Sequence, residues 1–188
     1  MTGGREQQFY RAIRMTIPEL ISCMEHTQPP APADVLEKLE TLLKCRLPED
    51  YRAFLLSTNG GSIANGYLWF RPNDEDVADG VGLDVIGGLR DEEPMSLLKA
   101  IDVYQGEFAR IPLDLVWVAA DLFGNAICLG LNGVHRGRIY FWDHESEPDQ
   151  DQWDGTVETA GNITLLADSF TEFAAGLRPD SDFTPASK

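Results

Sequence analysis

Apolar residues recur along this chain at two different spacings, and the change from one to the other divides it. In the first part the spacing is helical. Phe9, Ile13, Ile17, Leu20, Ile21 and Met24 share one stripe, which Pro18 divides into an arm and a second helix because it breaks the backbone ladder. Gln28-Pro29-Pro30-Ala31-Pro32 reads as a linker. Leu36, Leu39, Leu42 and Leu43 then predict a helix that Asp34 and Glu37 cap, with Lys44 and Arg46 suited to its negative end. A third helix opens at Pro48, carries Glu49 and Asp50 in its first turn and sets Tyr51, Phe54 and Leu55 on one face. Asn59-Gly60-Gly61 can close it in the left-handed conformation.

Past Gly61 the runs are short and β-type. Residues 67–70, 84–86, 115–119, 126–131 and 138–142 predict strands, with a helix over 95–108 marked by Leu97, Leu98, Ile101 and Tyr104. A last strand at 163–166 leads to a helix starting at Asp168, whose face is Phe170, Phe173, Ala174 and Leu177. Helices before and after a run of strands predict one α+β domain, a mixed, mainly antiparallel sheet packed by helices on one face. The expected core includes Tyr51, Phe54, Leu115, Trp117, Ile127, Ile139, Phe141, Trp142, Phe170 and Phe173. By this reading residues 1–32 are a helical arm and Pro-rich linker, 33–177 the domain, and 178–188 a flexible tail.

Four segments stand out in order. They are Leu47-Pro48-Glu49-Asp50-Tyr51-Arg52-Ala53-Phe54-Leu55 with Asn59-Gly60-Gly61; Asp121-Leu122-Phe123-Gly124-Asn125 running into Cys128-Leu129; Gly137 through Tyr140-Phe141-Trp142-Asp143-His144-Glu145; and Ala167-Asp168-Ser169-Phe170 with Phe173. Together they closely resemble the signature of the SUKH superfamily (Smi/Knr-type proteins), which groups bacterial toxin-immunity proteins with fungal cell-wall regulators. The resemblance covers about residues 33–177. It implies a non-catalytic binding protein, either an immunity protein that occupies a cognate toxin or a regulatory interaction module.

Charge narrows the partner. The chain has 31 Asp and Glu against 15 Lys and Arg, a net charge of −16. Binding nucleic acid requires a cationic surface that neutralises phosphate, so nucleic acid is excluded as a partner, and an anionic membrane is disfavoured for the same reason. Residues 1–55 are near balance, and nearly all the excess lies in the strand-rich part. Such a field keeps a protein soluble and also steers a cationic partner toward it. Cys23, Cys45 and Cys128 are widely spaced and form no C-x-x-C pair, which predicts reduced thiols and a cytoplasmic location. The first thirty residues lack the continuous apolar core of a signal peptide, and the longest apolar run, 115–120, is far below membrane-spanning length.

Chemistry is hard to assemble from the remaining residues. His26, His135 and His144 have no partner at metal-binding spacing, so neither a metal nor another cofactor is expected. No nucleophile elbow or phosphate loop is present. The glycines of 80–87 read as turn residues, since a nucleotide loop would need its third glycine elsewhere. His144, between Asp143 and Glu145, suggests either acid–base work or a strand-end support, and the latter is preferred.

The acidic stretch Asp143, Glu145, Glu147, Asp149, Asp151, Asp154 and Glu158 contains no Lys or Arg. A calcium loop counted from Asp149 fails at Trp153 and Asp154, where an oxygen ligand and a glycine are required. Paired carboxylates also serve glycosidic chemistry, but local spacing cannot set the separation which that reaction needs. Two main readings remain open, a solvated loop and a protein-binding surface, and an enzyme using the loop's carboxylates is the third. The candidate contact residues are Glu145, Glu147, Asp149, Asp151, Asp154 and Trp153, with Trp153 either tucked onto the core or presented as an anchor. Asp74, Glu75 and Asp76 form a second acidic group that can extend the same face.

Overall fold

A computed structural model describes residues 14–63, 68–70, 80–89, 96–106, 109–149 and 151–179. Asp74, Glu75, Asp76 and the apolar positions Phe9 and Ile13 lie outside the described residues.

The first helix is shorter than its apolar stripe. α1 (Ile17–Ser22) starts at a capping box in which Thr16 and Glu19 bond each other's backbone, and Pro18 stands in its first turn. Proline therefore stands where the second helix opens. Leu20 is buried, but Met24 has left the helix and pairs with Ile63 as part of β1 (Met24–Glu25), an edge strand. In α2 (Ala33–Leu42) the cap position is Pro32, which offers no side-chain bond. Asp34 sits two residues past the cap, inside the first turn, and its carboxylate takes Lys38 at 3.0 Å instead. Leu36 and Leu39 are buried, whereas Leu42, expected on the same stripe, is exposed.

α3 (Glu49–Ser57) has the predicted start and buries Tyr51, Phe54 and Leu55. It ends at Thr58, which is already extended, so no left-handed residue is needed to stop it. Gly60 does take φ +72°, for another reason: a Cβ there would lie 2.6 Å from the Ile86 carbonyl oxygen. Beside it the buried Asn59 side chain accepts from the Leu89 N–H at 2.6 Å and donates to the Leu89 carbonyl at 2.9 Å. Asn59 and Gly60 thus dock the helix end onto the sheet.

The strands are β2 (Gly61–Ile63), β3 (Leu68–Phe70), β4 (Val81–Ile86), β5 (Leu115–Asp121), β6 (Ala126–Gly130), β7 (Ile139–Trp142), β8 (Ile163–Ala167) and β9 (Arg178–Pro179). With β1 they make a nine-stranded sheet in the order β1-β2-β4-β5-β6-β7-β8, and β3 bridges β4 and β9. All named pairs are antiparallel. The mixed character expected of the sheet is confined, among the described residues, to one isolated parallel bridge, Gly88 to Ser96. The glycines read as turns are crossed by β4, in which Gly82 makes room for Trp69 and Leu122. Arg178 and Pro179 pair with β3, where polarity alone suggested the start of the tail.

Every residue of β6 and β7 is buried. Successive side chains point to opposite faces, so both faces at the sheet centre are covered, not the one face expected. α4 (Leu97–Gln105) packs on β5, and its Tyr104 meets Trp142 edge-on at 5.7 Å. α6 (Phe170–Gly176) packs on β8 and α3, where Phe170 lies 5.1 Å from both Tyr51 and Phe54. A short α5 (Val157–Ala160) precedes β8. All of the core residues named from the sequence are buried in one cluster. Each fully buried Leu or Phe side chain contributes roughly 1.5–3 kcal/mol relative to exposure.

Candidate protein-binding surface

Two of the conspicuous sequence segments meet at one end of the sheet. The β5–β6 turn is closed by the buried Asp121, whose carboxylate accepts from the Phe123 and Asn125 backbone N–H groups at 2.9 and 2.7 Å and from the Asn125 amide at 2.9 Å. A carboxylate only accepts, so the Asn125 NH₂ must face Asp121 and its oxygen must face away. That oxygen accepts from the His144 backbone N–H at 3.1 Å and from Nδ1 at 2.7 Å, which places the His144 proton on Nδ1. His144 is committed to this tie. Its place is structural, and the tie fixes where the acidic segment leaves the sheet.

From there the segment is built by its own carboxylates. Asp143 caps a 3₁₀ turn (His144–Ser146), accepting from the Glu145 N–H and the Ser146 hydroxyl at 2.9 Å each. Asn162 pairs with the Asp143 backbone in both directions, at 3.0 and 2.7 Å. Asp149 accepts from the Asp151 N–H at 3.1 Å and from the Gln152 amide at 2.7 Å. Asp154 accepts from the hydroxyls of Thr159 and Thr156 and from the Thr156 N–H. The Thr159 bond leads the effect that holds its carboxyl below the ordinary value.

Two members of the group have partners that sequence proximity hid, a guanidinium for one and an imidazole for the other. Glu147 is bound by Arg110 through two guanidinium nitrogens, Nε at 3.1 Å, and Arg110 itself lies over the Trp142 and Tyr104 rings at 5.2 and 5.8 Å. The hydrogen bonds to Glu147 raise the guanidinium above its ordinary value. Glu158 lies 3.2 Å from His135 Nε2, while His135 Nδ1 bonds the Tyr140 hydroxyl at 2.8 Å. The stretch without Lys or Arg is therefore partly compensated in space.

Glu145, Asp149, Asp151 and Asp154 are exposed, Glu147 is half-buried, and the Glu145 and Asp151 carboxylates have no side-chain partner among the described residues. Trp153 is half-buried, its backbone N–H bonds the Asp149 carbonyl at 3.0 Å, and its indole N–H donates to the Thr156 carbonyl at 2.9 Å. It pins the loop. Among the described residues no group of three His, Cys, Asp or Glu side chains is placed to hold a metal ion, and no helix is long and apolar enough to cross a membrane. The SMI1 / KNR4 family (SUKH-1) matches the chain over residues 30–176. No curated protein matches it.

Proposed function

Because the chain belongs to the SMI1 / KNR4 family (SUKH-1), which supports a toxin-immunity or regulatory protein-binding role, we propose that it is an immunity protein that neutralises a cognate cationic toxin by binding it directly. The proposed mode is occupation without catalysis, in the cytoplasm. The observation that carries the cationic partner is the acidic segment after β7. Its backbone is held by local caps and by the Asn125–His144 tie, while Glu145, Asp149 and Asp151 remain in solvent on a chain of net charge −16. An ordered anionic surface is suited to a partner that must itself hold phosphate, because it meets such a protein quickly and covers the same cationic groups. Net charge sets the rate of encounter more than the strength of the final complex.

Co-production with the toxin encoded beside its gene tests this reading. Survival of the cells, together with isolation of a one-to-one complex of the two purified proteins, is the expected result. Killing that proceeds unchanged, with no complex formed, would overturn it. A regulatory module would instead bind several partners weakly and give no protection.

A further inference from the structure

The acidic segment borders a groove that the reading above does not use. It encloses about 440 Å³ between α4 and the β5–β6 turn, with Val103 and Tyr104 on one wall and Ala120 and Leu122 on the other. Its lip is apolar and bare: Val103 is 59% exposed, Leu122 44%, and the adjoining Phe123 65%. A single exposed apolar residue is ordinary, but two that line one concave surface, with a third next in sequence to one of them, mark a contact site.

The groove is also joined to the acidic segment on both sides. Tyr104 on its α4 wall lies under Arg110, the partner of Glu147. Beyond Phe123, Asn125 holds His144 and so sets the exposed Glu145 at the same end of the sheet. Asp84 lines the groove and the exposed Asp102 precedes Val103, against Lys99 as the base among the lining residues. A second copy of this chain would bring another −16 to an acidic rim, which argues against self-association.

We propose that this groove takes an apolar side chain from a cationic protein segment, anchored at Val103, Leu122 and Phe123 while the carboxylates from Asp143 onward guide its approach. The inference rests on the acidic-surface reading and adds the anchor that charge alone does not supply. Anchors near the centre of an interface carry most of its binding energy, whereas rim charges act mainly on association.

The probes are two peptides of equal length and charge, one of lysine and leucine and one of lysine and serine, titrated into the full chain and followed by the backbone amide resonances. The lysine–leucine peptide should perturb Val103, Leu122 and Phe123 and bind at least about tenfold more tightly than the serine control. Phe123→Ser and Val103→Ser should each remove most of that difference, about tenfold. Both positions are exposed, so retained amide dispersion confirms the fold. Equal binding of the two peptides, no binding of either, unchanged affinity in the variants, or perturbations confined to 143–158 would overturn the groove. The last of these would leave the acidic surface standing. Binding lost in Phe123→Ser but unaffected when Glu145, Asp149 and Asp151 become amides would support the groove and count against acidic guidance. Dimerisation without peptide, abolished by Phe123→Ser, would make a second copy the occupant and overturn the proposal.

Discussion

Gly60 and Gly155 both hold positive φ, at +72° and +82°, yet their surroundings separate two kinds of cost. Around Gly155 nothing lies within 4 Å of a built Cβ, whereas at Gly60 three backbone atoms of residues 86–88 lie within 2.7 Å. Gly155→Ala should cost only the conformational term, about 1 kcal/mol, and Gly60→Ala more than about 2 kcal/mol because the backbone it meets cannot yield. Denaturant midpoints at constant slope measure the difference. Phe54 is fully buried between Tyr51 and Phe170, so Phe54→Ala should cost about 3–5 kcal/mol by the same measurement. Burial also pushes the Cys128 thiol and the Tyr51 phenol above their ordinary values. In the unfolded chain these groups ionise at about pH 8.5 and 10. Above those points the unfolded state binds fewer protons than the native state, so this stability is full below about pH 8.5 and falls as pH rises. Cys128→Ala should flatten the first part of that decline in an alkaline series of denaturation curves.

Among the elements, the ties that matter join segments far apart in sequence. Asp50 opens α3 and also accepts from the Thr171 N–H at 2.9 Å and hydroxyl at 3.1 Å, fixing the first turn of α6. Asn125 does the same for the acidic segment. Asn125→Ala should cost about 1–3 kcal/mol by leaving the buried Asp121 carboxylate short of a donor. It should also speed hydrogen exchange at Glu145 and Ser146, while exchange in β6 away from the turn stays slow. Periodicity made the long elements legible, since a helix such as α3 or a strand such as β5 repeats its pattern enough to be read. β1, β2 and β9 have two or three residues each and no period to display. Their pairing is a tertiary fact. The spacing of Met24 fits a helix, and only its place opposite Ile63 reveals a strand. The Arg110–Glu147 pair spans 37 residues, so a local count of charges saw the acid without the base. Phe123 lies inside a turn motif, where its apolar side chain stays exposed, and no local pattern distinguishes it from a buried aromatic.

At the scale of the whole molecule, the family and the α+β class were readable from ordered motifs, because those motifs are the residues that close turns and cap helices. The partner surface was readable only as charge. Glu147, half-buried against Arg110, and the exposed Glu145, Asp149 and Asp151 look alike in sequence and differ in the fold. A useful variant therefore leaves Glu147 with Arg110 and changes Glu145, Asp149 and Asp151 to amides, which keep their ability to accept the capping hydrogen bonds. The most direct measurement is the association rate of the isolated toxin with the chain and with this variant, across a salt series. Association with the chain should be fast and slow steeply with salt, and in the variant the rate should be lower, its salt dependence flatter and dissociation little changed. Equal rates and equal salt slopes for the two proteins would contradict this and reduce the segment to a solubilising loop.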